Sequence, residues 1–239
     1  MFVVILHYGD PALTRRVVDA LESQDAVVHV LDNAAPHPYA GSGMIRRLPE
    51  NVFWAGGLAV ALDWAREEGA THLWFCNNDI RFVSKPPHVA RLIARMRRLA
   101  AKLGRSPGIY APTVSLNPYH PQMVWREHVA FSRVCYIDGI APVMALECVE
   151  ALGGLDAADN PQGYGVDVWL SLRAYQANWP VVVDHGMVLR HEYHTTARSV
   201  PGFMSEAARR EDRYLAARLG SDWRQRLKAQ QHWQDEARL

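Results

Sequence analysis

The sequence predicts an α/β fold: a mostly parallel sheet flanked by helices, followed by a C-terminal helical extension. Three observations carry the prediction. Short β-branched apolar runs alternate with helix-period segments from Phe2 to Cys76. The 239 residues are 49% apolar and 21% charged, which excludes a disordered or collagen-like chain. No internal repeat or low-complexity linker divides them, and a chain this long buries roughly 70% of its unfolded surface without needing a disulfide or structural metal.

Phe2 to Leu6 (FVVIL) is continuously apolar, as a strand buried on both faces is. Thr14 is the expected cap of a helix carrying Val17, Val18 and Leu21 on one side. Val27 to Leu31 (VVHVL) reads as a second strand. After Gly56 and Gly57, residues Leu58, Ala61, Leu62 and Ala65 keep helical spacing until Gly69. His72 to Cys76 (HLWFC) is the third strand. That alternation calls for right-handed crossovers and a parallel sheet.

Beyond it, an Arg-rich helix is expected over Pro86 to Gly104, a strand over Ile109 to Val114 and a loop over Asn117 to Gln122. Val134 to Ile137 and Ala141 to Leu146 flank Asp138-Gly139. A short helix from Cys148 to Leu152, a helix from Val168 to Asn178 and a strand from Val181 to Val183 complete the domain. From Phe203 the chain reads as polar helix broken near Gly220, suited to packing on the domain, joining two copies as a homodimer or touching a membrane.

Lys plus Arg number 26 and Asp plus Glu 25, a net charge of +1, so no global field draws the chain to nucleic acid. The basic run Arg91, Arg95, Arg97, Arg98, Lys102 and Arg105 is expected to be a solvated face, with anionic lipid or a phosphorylated acceptor as the alternative. Cys76, Cys135 and Cys148 have neither CxxC nor zinc spacing, which fits a reducing compartment. The apolar start is too short for a membrane span and lacks a basic leader. The expectation is a cytoplasmic protein, at most peripheral to the inner face of a membrane.

The polar residues fall at strand ends. His7-Tyr8 follows the first strand, Asp32-Asn33 the second and Asn77-Asn78-Asp79 the third. Asp and Asn suit any tight turn, but three clusters at three parallel carboxyl ends point at one crevice, where open α/β sheets bind ligands. Neither a G-x-G-x-x-G nor a P-loop is present, so a nucleotide would bind through base and ribose contacts, with a metal neutralising its phosphates. Asp32 suits a base or ribose, and Asp79 suits a hard divalent cation.

In order and spacing, VVILHYGD, VLDNAA, LPENVFWAGGLAVAL and LWFCNND resemble the start of glycosyltransferase family 2, in its rhamnosyltransferase-like branch. Asp138-Gly139, GGLDAADNPQGYGVDVWLSLRA and LRHEYHTT resemble the acceptor half of the same family, so the likeness runs over roughly residues 2 to 196. It implies a GT-A-type (Rossmann-like) domain over 1–202, with a nucleotide-binding half at about 1–82 and an acceptor half at about 83–202, and an extension over 203–239. It implies a nucleoside-diphosphate sugar as donor, a glycan or glycolipid as acceptor, an inverting transfer and a divalent metal, Mn2+ or Mg2+. His7, Tyr8, Asp32, Asn51, Asn77 and Asn78 would line the donor, with Asp32 on the nucleobase. Asn77-Asn78-Asp79 stands where the family's DxD-type metal motif stands, with Asn77 in place of the first carboxylate. Asp79 and a late histidine, His191 rather than His194, would hold the metal. Asp167 matches the family's general base, and Val166 replaces the usual preceding Glu.

The chemistry is self-consistent. One carboxylate deprotonates the acceptor hydroxyl, and a metal stabilises the leaving diphosphate. Asp167 would otherwise be an ordinary helix N-cap, where partial positive charge favours the ionised carboxylate. Asp138 and Asp159 are the next candidates for the base. Trp125, Tyr164 and Trp169 would stack on sugars or simply fill the core.

Overall fold

The structure is a computed structural model that describes residues 1–22, 26–192 and 201–239. Its N-terminal part contains β1 (Phe2–His7), α1 (Pro11–Leu21), β2 (Val28–Asp32), β3 (Met44–Arg47), α2 (Phe53–Glu67) and β4 (His72–Asn77). These strands lie in the order β4-β1-β2-β3, all parallel. β1 is buried at all six positions, as its unbroken apolar run requires of a central strand. β3 was not foreseen, because this edge strand exposes Met44 and Ile45 and has no apolar period to detect.

Two helix starts differ from expectation. α1 is capped by Asp10, whose carboxylate accepts from the Ala12 N–H, and Pro11 supplies a first-turn residue that needs no partner. Thr14 lies inside the helix and is fully buried. α2 begins at Phe53, ahead of both glycines. Gly57 then serves packing: a Cβ there would fall 2.7 Å from Leu6 Cδ1, so its absence lets α2 lie close on β1.

The remainder comprises β5 (Ile80–Phe82), α3 (His88–Leu103), β6 (Ile109–Val114), a 3₁₀ turn (Pro121–Met123), β7 (Phe131–Val134), β8 (Val143–Ala145), α4 (Leu146–Ala151), α5 (Val166–Gln176), β9 (Val181–His191), α6 (Phe203–Leu219), α7 (Trp223–Ala229) and β10 (Trp233–Glu236). The sheet of described strands runs β10-β7-β9-β6-β8-β4-β1-β2-β3, with β5 added on β9. β6 and β9 are parallel, while β8, β7, β5 and β10 pair antiparallel, so the sheet is parallel around β1 and mixed beyond β4.

β7 precedes its expected place, and β9 continues eight residues past the expected Val181 to Val183, ending at His191. Asp184-His185-Gly186 breaks the apolar pattern that would have revealed the longer strand. These residues sit at a register shift against β6, and Asp184 and His185 are buried with partners. Asp184 accepts from Arg95 at 2.5 Å and from the Tyr110 hydroxyl at 2.7 Å. Arg95 thereby leaves the basic run for the interior, since a buried carboxylate needs a charged partner.

The extension is not purely helical. β10 pairs antiparallel with β7 and forms the sheet edge, where Asp235 accepts from Ser132 at 2.6 Å and from Arg126 at 2.7 Å. α6 and α7 bury Tyr214, Leu215, Trp223 and Leu227 against Val166, Val168 and Leu172 of α5. Gly165, at φ +81, admits Leu215, and a Cβ there would lie 2.9 Å from it. Among the described residues no helix is long and apolar enough to cross a membrane.

Candidate functional site

His7, Asp32 and Asn77 end β1, β2 and β4 side by side, with His7 in register with Asp32 and Leu6 with Asn77. Their side chains do different work. His7 is fully buried. Its Nε2 donates to the His37 carbonyl at 2.8 Å, and its Nδ1 lies 2.7 Å from the Thr14 hydroxyl. Asn78 donates to that hydroxyl and to the Tyr8 carbonyl, both at 3.1 Å. One buried chain of hydrogen bonds therefore ties β1, α1 and the turn after β4 together.

Asp32 is 1% exposed. It accepts from the amides of Ala35 (2.9 Å) and Tyr39 (3.2 Å) and pairs with Arg47 at 2.6 Å. At that burial, direct contact with a ligand would require the surrounding loop to move. In this structure Asp32 and His7 shape the surrounding loops instead of lining the crevice. Asn33, which the expected donor set omitted, joins β2 to the start of α2 by accepting from Val52 N–H and donating to the Phe53 carbonyl. Asn51 accepts from Phe53 N–H at 2.8 Å and so supports Phe53 at φ +58, a conformation that is costly without such local bonding.

Asn77 accepts from the Trp54 indole at 3.0 Å. Asp79 and His191 meet across β5 and β9, Oδ1 to Nε2 at 3.0 Å, although 112 residues separate them. That pair offers one oxygen and one nitrogen donor. Among the described residues no group of three or more His, Cys, Asp or Glu is placed to hold a metal ion. A Mg2+-type ion commonly takes one or two carboxylates, with substrate phosphates and water completing its sphere, so Asp79 with His191 is chemically compatible with such a site. His194 lies outside the described residues.

The second cluster lies where α5 meets the segment before β8. Asp167 is the second residue of α5, which starts at Val166 behind Gly165, so the N-cap reading of Asp167 is corrected. Its carboxylate instead accepts from the Gly139 N–H. Gly139 has no room for a side chain: a Cβ would lie 2.6 Å from Trp54 and 3.0 Å from the Asp167 Cβ. Ser171 holds the same contact from one turn further along, accepting from Ile137 N–H at 3.0 Å.

Burial, and then the neighbouring Asp138 carboxylate, push the Asp167 carboxyl up to about 8. The amides of Val168 and Gly139 pull it down and Glu211 pushes it further up. The helix terminus was expected to keep Asp167 readily ionised. It loses to desolvation and like charge. Asp138 itself accepts from Asn117 at 2.8 Å.

The extension supplies what the sequence did not signal. Glu211 on α6 is partly buried, and its carboxyl is raised by burial, with Arg224 opposing and Asp212 and Asp138 adding. Phe203 stacks on Phe53 with centroids 6.1 Å apart and meets Tyr164 edge-on at 6.3 Å. The Tyr164 phenol is pushed up to about 12 by burial and by Glu211, Tyr119, Asp138 and Asp79, which puts all four within electrostatic reach. Trp169 instead donates to Asp156, the carboxylate that Arg218 also binds, and serves packing. Asp159 is exposed, and Trp125 is exposed on its own loop. Trp54 is the link sequence reasoning missed: it bonds Asn77 in the first cluster and packs on Gly139 and Gly163 in the second.

No protein-family model matches the chain. A protein of Mycobacterium tuberculosis strain H37Rv and one of Mycobacterium bovis, both described only as uncharacterized, are each 26% identical to it over 200 residues, covering 83% of this chain and 76% of theirs. Among solved structures, GalNAc-T7, crystallised with UDP, GalNAc and Mn2+, superposes with a TM-score of 0.56 at 13% identity. The match covers 79% of this chain and 43% of that one, so this chain corresponds to less than half of that protein. The likeness identifies the architecture as GT-A-like.

Proposed function

We propose that this chain is an inverting glycosyltransferase of the rhamnosyltransferase-like kind, moving a sugar from a nucleoside diphosphate to a hydroxyl of a glycan or glycolipid acceptor during cell-surface polysaccharide or glycoconjugate synthesis. The observation that carries this reading is Asp167. It is a carboxylate whose proton affinity is raised to near neutrality, held by a backbone amide at the edge of a GT-A-like crevice. General bases work best with a pKa near the operating pH.

In this reading the donor lies over the ends of β1, β2 and β4. The nucleoside half meets the 33–39 loop that Asp32 and Arg47 brace, and Tyr8, Asn51 and Asn77 line the approach. The acceptor lies between Asp167, Tyr164 and the 117–120 loop. Asp167 takes the acceptor hydroxyl proton as that oxygen attacks the anomeric carbon from the face opposite the diphosphate. The glycosidic bond forms, the bond to the diphosphate oxygen breaks, and the nucleoside diphosphate leaves with the electron pair. Asp79 and His191 would hold a divalent ion, which supplies Lewis-acid stabilisation of the leaving diphosphate when bound. Residues 1–202 form the transfer domain, and the extension lends Phe203 and Glu211 to its acceptor half.

The test is incubation of the purified protein with a panel of UDP-, GDP-, dTDP- and ADP-sugars, scoring release of the free nucleoside diphosphate with and without Mn2+. Release from one donor, lost in Asp167→Asn, is expected. No release from any donor, with binding intact, would mark a sugar-nucleotide-binding module instead. Asp79→Ala is expected to abolish any Mn2+-dependent gain in donor affinity by calorimetry. Unchanged affinity would remove Asp79 from the metal site.

A further inference from the structure

Three elements that are distant in sequence converge on the turn that carries Asp79. Arg16 comes from α1, Arg81 from β5 and Glu192 from the residue after β9. The Glu192 N–H donates to the Asp79 carbonyl at 2.8 Å, which fixes Glu192 beside the Asp79–His191 pair. Its carboxylate accepts from Arg81 Nε at 2.5 Å and from Arg16 Nη2 at 3.3 Å. The buried Arg16 Nε has no acceptor among the described residues.

The electrostatics of this corner set the problem. Asn77 and Asn78 are neutral, so the carboxylate of this turn is Asp79, which among the described residues meets His191. A diphosphate arriving here brings further negative charge beside that carboxylate, and cationic side chains are what answer it. Two arginines from separate elements stand at the same turn, and Arg is the side chain suited to phosphate oxygens because its fork donates in pairs. With Glu192 in place the two cations are partly neutralised. With Glu192 displaced they present two positive charges and several unused N–H donors.

We propose that Arg16 and Arg81 form a diphosphate-binding site of this chain and that Glu192 is its displaceable counter-ion. The phosphates of the donor exchange with the Glu192 carboxylate, so binding does not depend wholly on a metal. The proposal rests on the donor being a nucleoside diphosphate sugar, but it concerns the phosphate contacts alone.

The experiment is calorimetric titration with inorganic pyrophosphate in EDTA at low ionic strength, using the full chain. Wild type is expected to bind. Arg16→Gln and Arg81→Gln are each expected to weaken binding about tenfold, the scale of losing one charge-assisted contact. Glu192→Gln is expected to tighten binding several-fold, because the competing carboxylate is gone. That opposite sign separates a counter-ion from a structural ion pair, and matched melting temperatures show that the variants fold. Absence of pyrophosphate binding to wild type, or unchanged affinity in both arginine variants, overturns the proposal. So does weaker binding in Glu192→Gln, which would make its ion pairs a support of the site and not a competitor. Sugar-nucleotide turnover without arginine-dependent pyrophosphate binding sinks this proposal and leaves the transferase reading standing. Arginine-dependent binding without turnover does the reverse.

Discussion

The two clusters flanking Trp54 are built on opposite electrostatic terms. At the strand ends, His7, Thr14 and Asn78 form one buried chain of hydrogen bonds, and the buried Asp32 carboxylate beside it is matched by the Ala35 and Tyr39 amides and by Arg47. At the start of α5, Asp138, Asp167 and Glu211 bring three carboxylates into mutual reach, and Asp167 answers by holding its proton. Satisfied polar networks rigidify a fold, whereas unsatisfied like charges tune proton affinity. The first cluster is a scaffold that shapes a binding surface. In the proposed function the second carries the reactivity.

The sharpest way to break this contrast is Asp167→Asn. It keeps the shape and the contact with Gly139 while removing proton acceptance. Transfer is expected to fall on the order of 10²-fold or more, with donor affinity unchanged by calorimetry. Stability should move the other way. Asp167 has a folded pKa raised far above the ordinary carboxylate value, so its favourable contribution is present at acid pH and is lost as pH rises through about 8. Urea melts should therefore show Asp167→Asn gaining on wild type as pH rises. A loss of stability in the variant at neutral pH would mean that Asp167 is a structural anion.

Gly139→Ala attacks the same cluster from its neighbour. The added methyl cannot fit against Trp54 and Asp167, so the base is displaced. Transfer is expected to drop by about 10- to 100-fold, the scale of an ångström misplacement. Wild-type activity despite the methyl would show that the base is not held by this contact.

The pH profile is subtler. A base near 8 predicts that kcat rises with pH through that region, and Glu211→Gln should move the rising limb to lower pH by removing one like charge. A limb that stays in place would exclude Glu211 from the cluster. The smallest catalytic effect belongs to the scaffold. Thr14→Val leaves His7 and Asn78 short of a partner and should cost about 1–3 kcal/mol by urea denaturation, with the pH profile of transfer unchanged. A shifted profile would couple the two clusters more tightly than Trp54 alone provides.

Local signals carried some of this. Continuous apolar runs placed β1, β2 and β4, and the Asp and Asn residues at their ends lie side by side at one edge of the sheet. The same signals could not tell a partly exposed polar side chain from a buried one: His7, Asp32 and Asn78 look in sequence like Asn51 and Asn77. β3 escaped because its edge position exposes apolar residues, and β9 because Asp184 interrupts its run with a buried charge that Arg95, 89 residues away, and the Tyr110 hydroxyl make tolerable. Glu211 escaped because a polar C-terminal helix has no pattern that distinguishes a solvated carboxylate from one turned toward Asp138.

The sequence by itself determined the alternation of strand and helix, the polar character of the strand ends and the presence of Asp167 at the start of a helix, since these follow from neighbouring residues and backbone preferences. The tertiary structure alone decided that Asp79 meets His191, that Arg16 and Arg81 share Glu192, that the C-terminal segment returns as strand β10, and that burial and Asp138 push the Asp167 carboxyl up. Each of these depends on the distance in space between groups remote in the chain, and Coulomb energy and desolvation follow that distance.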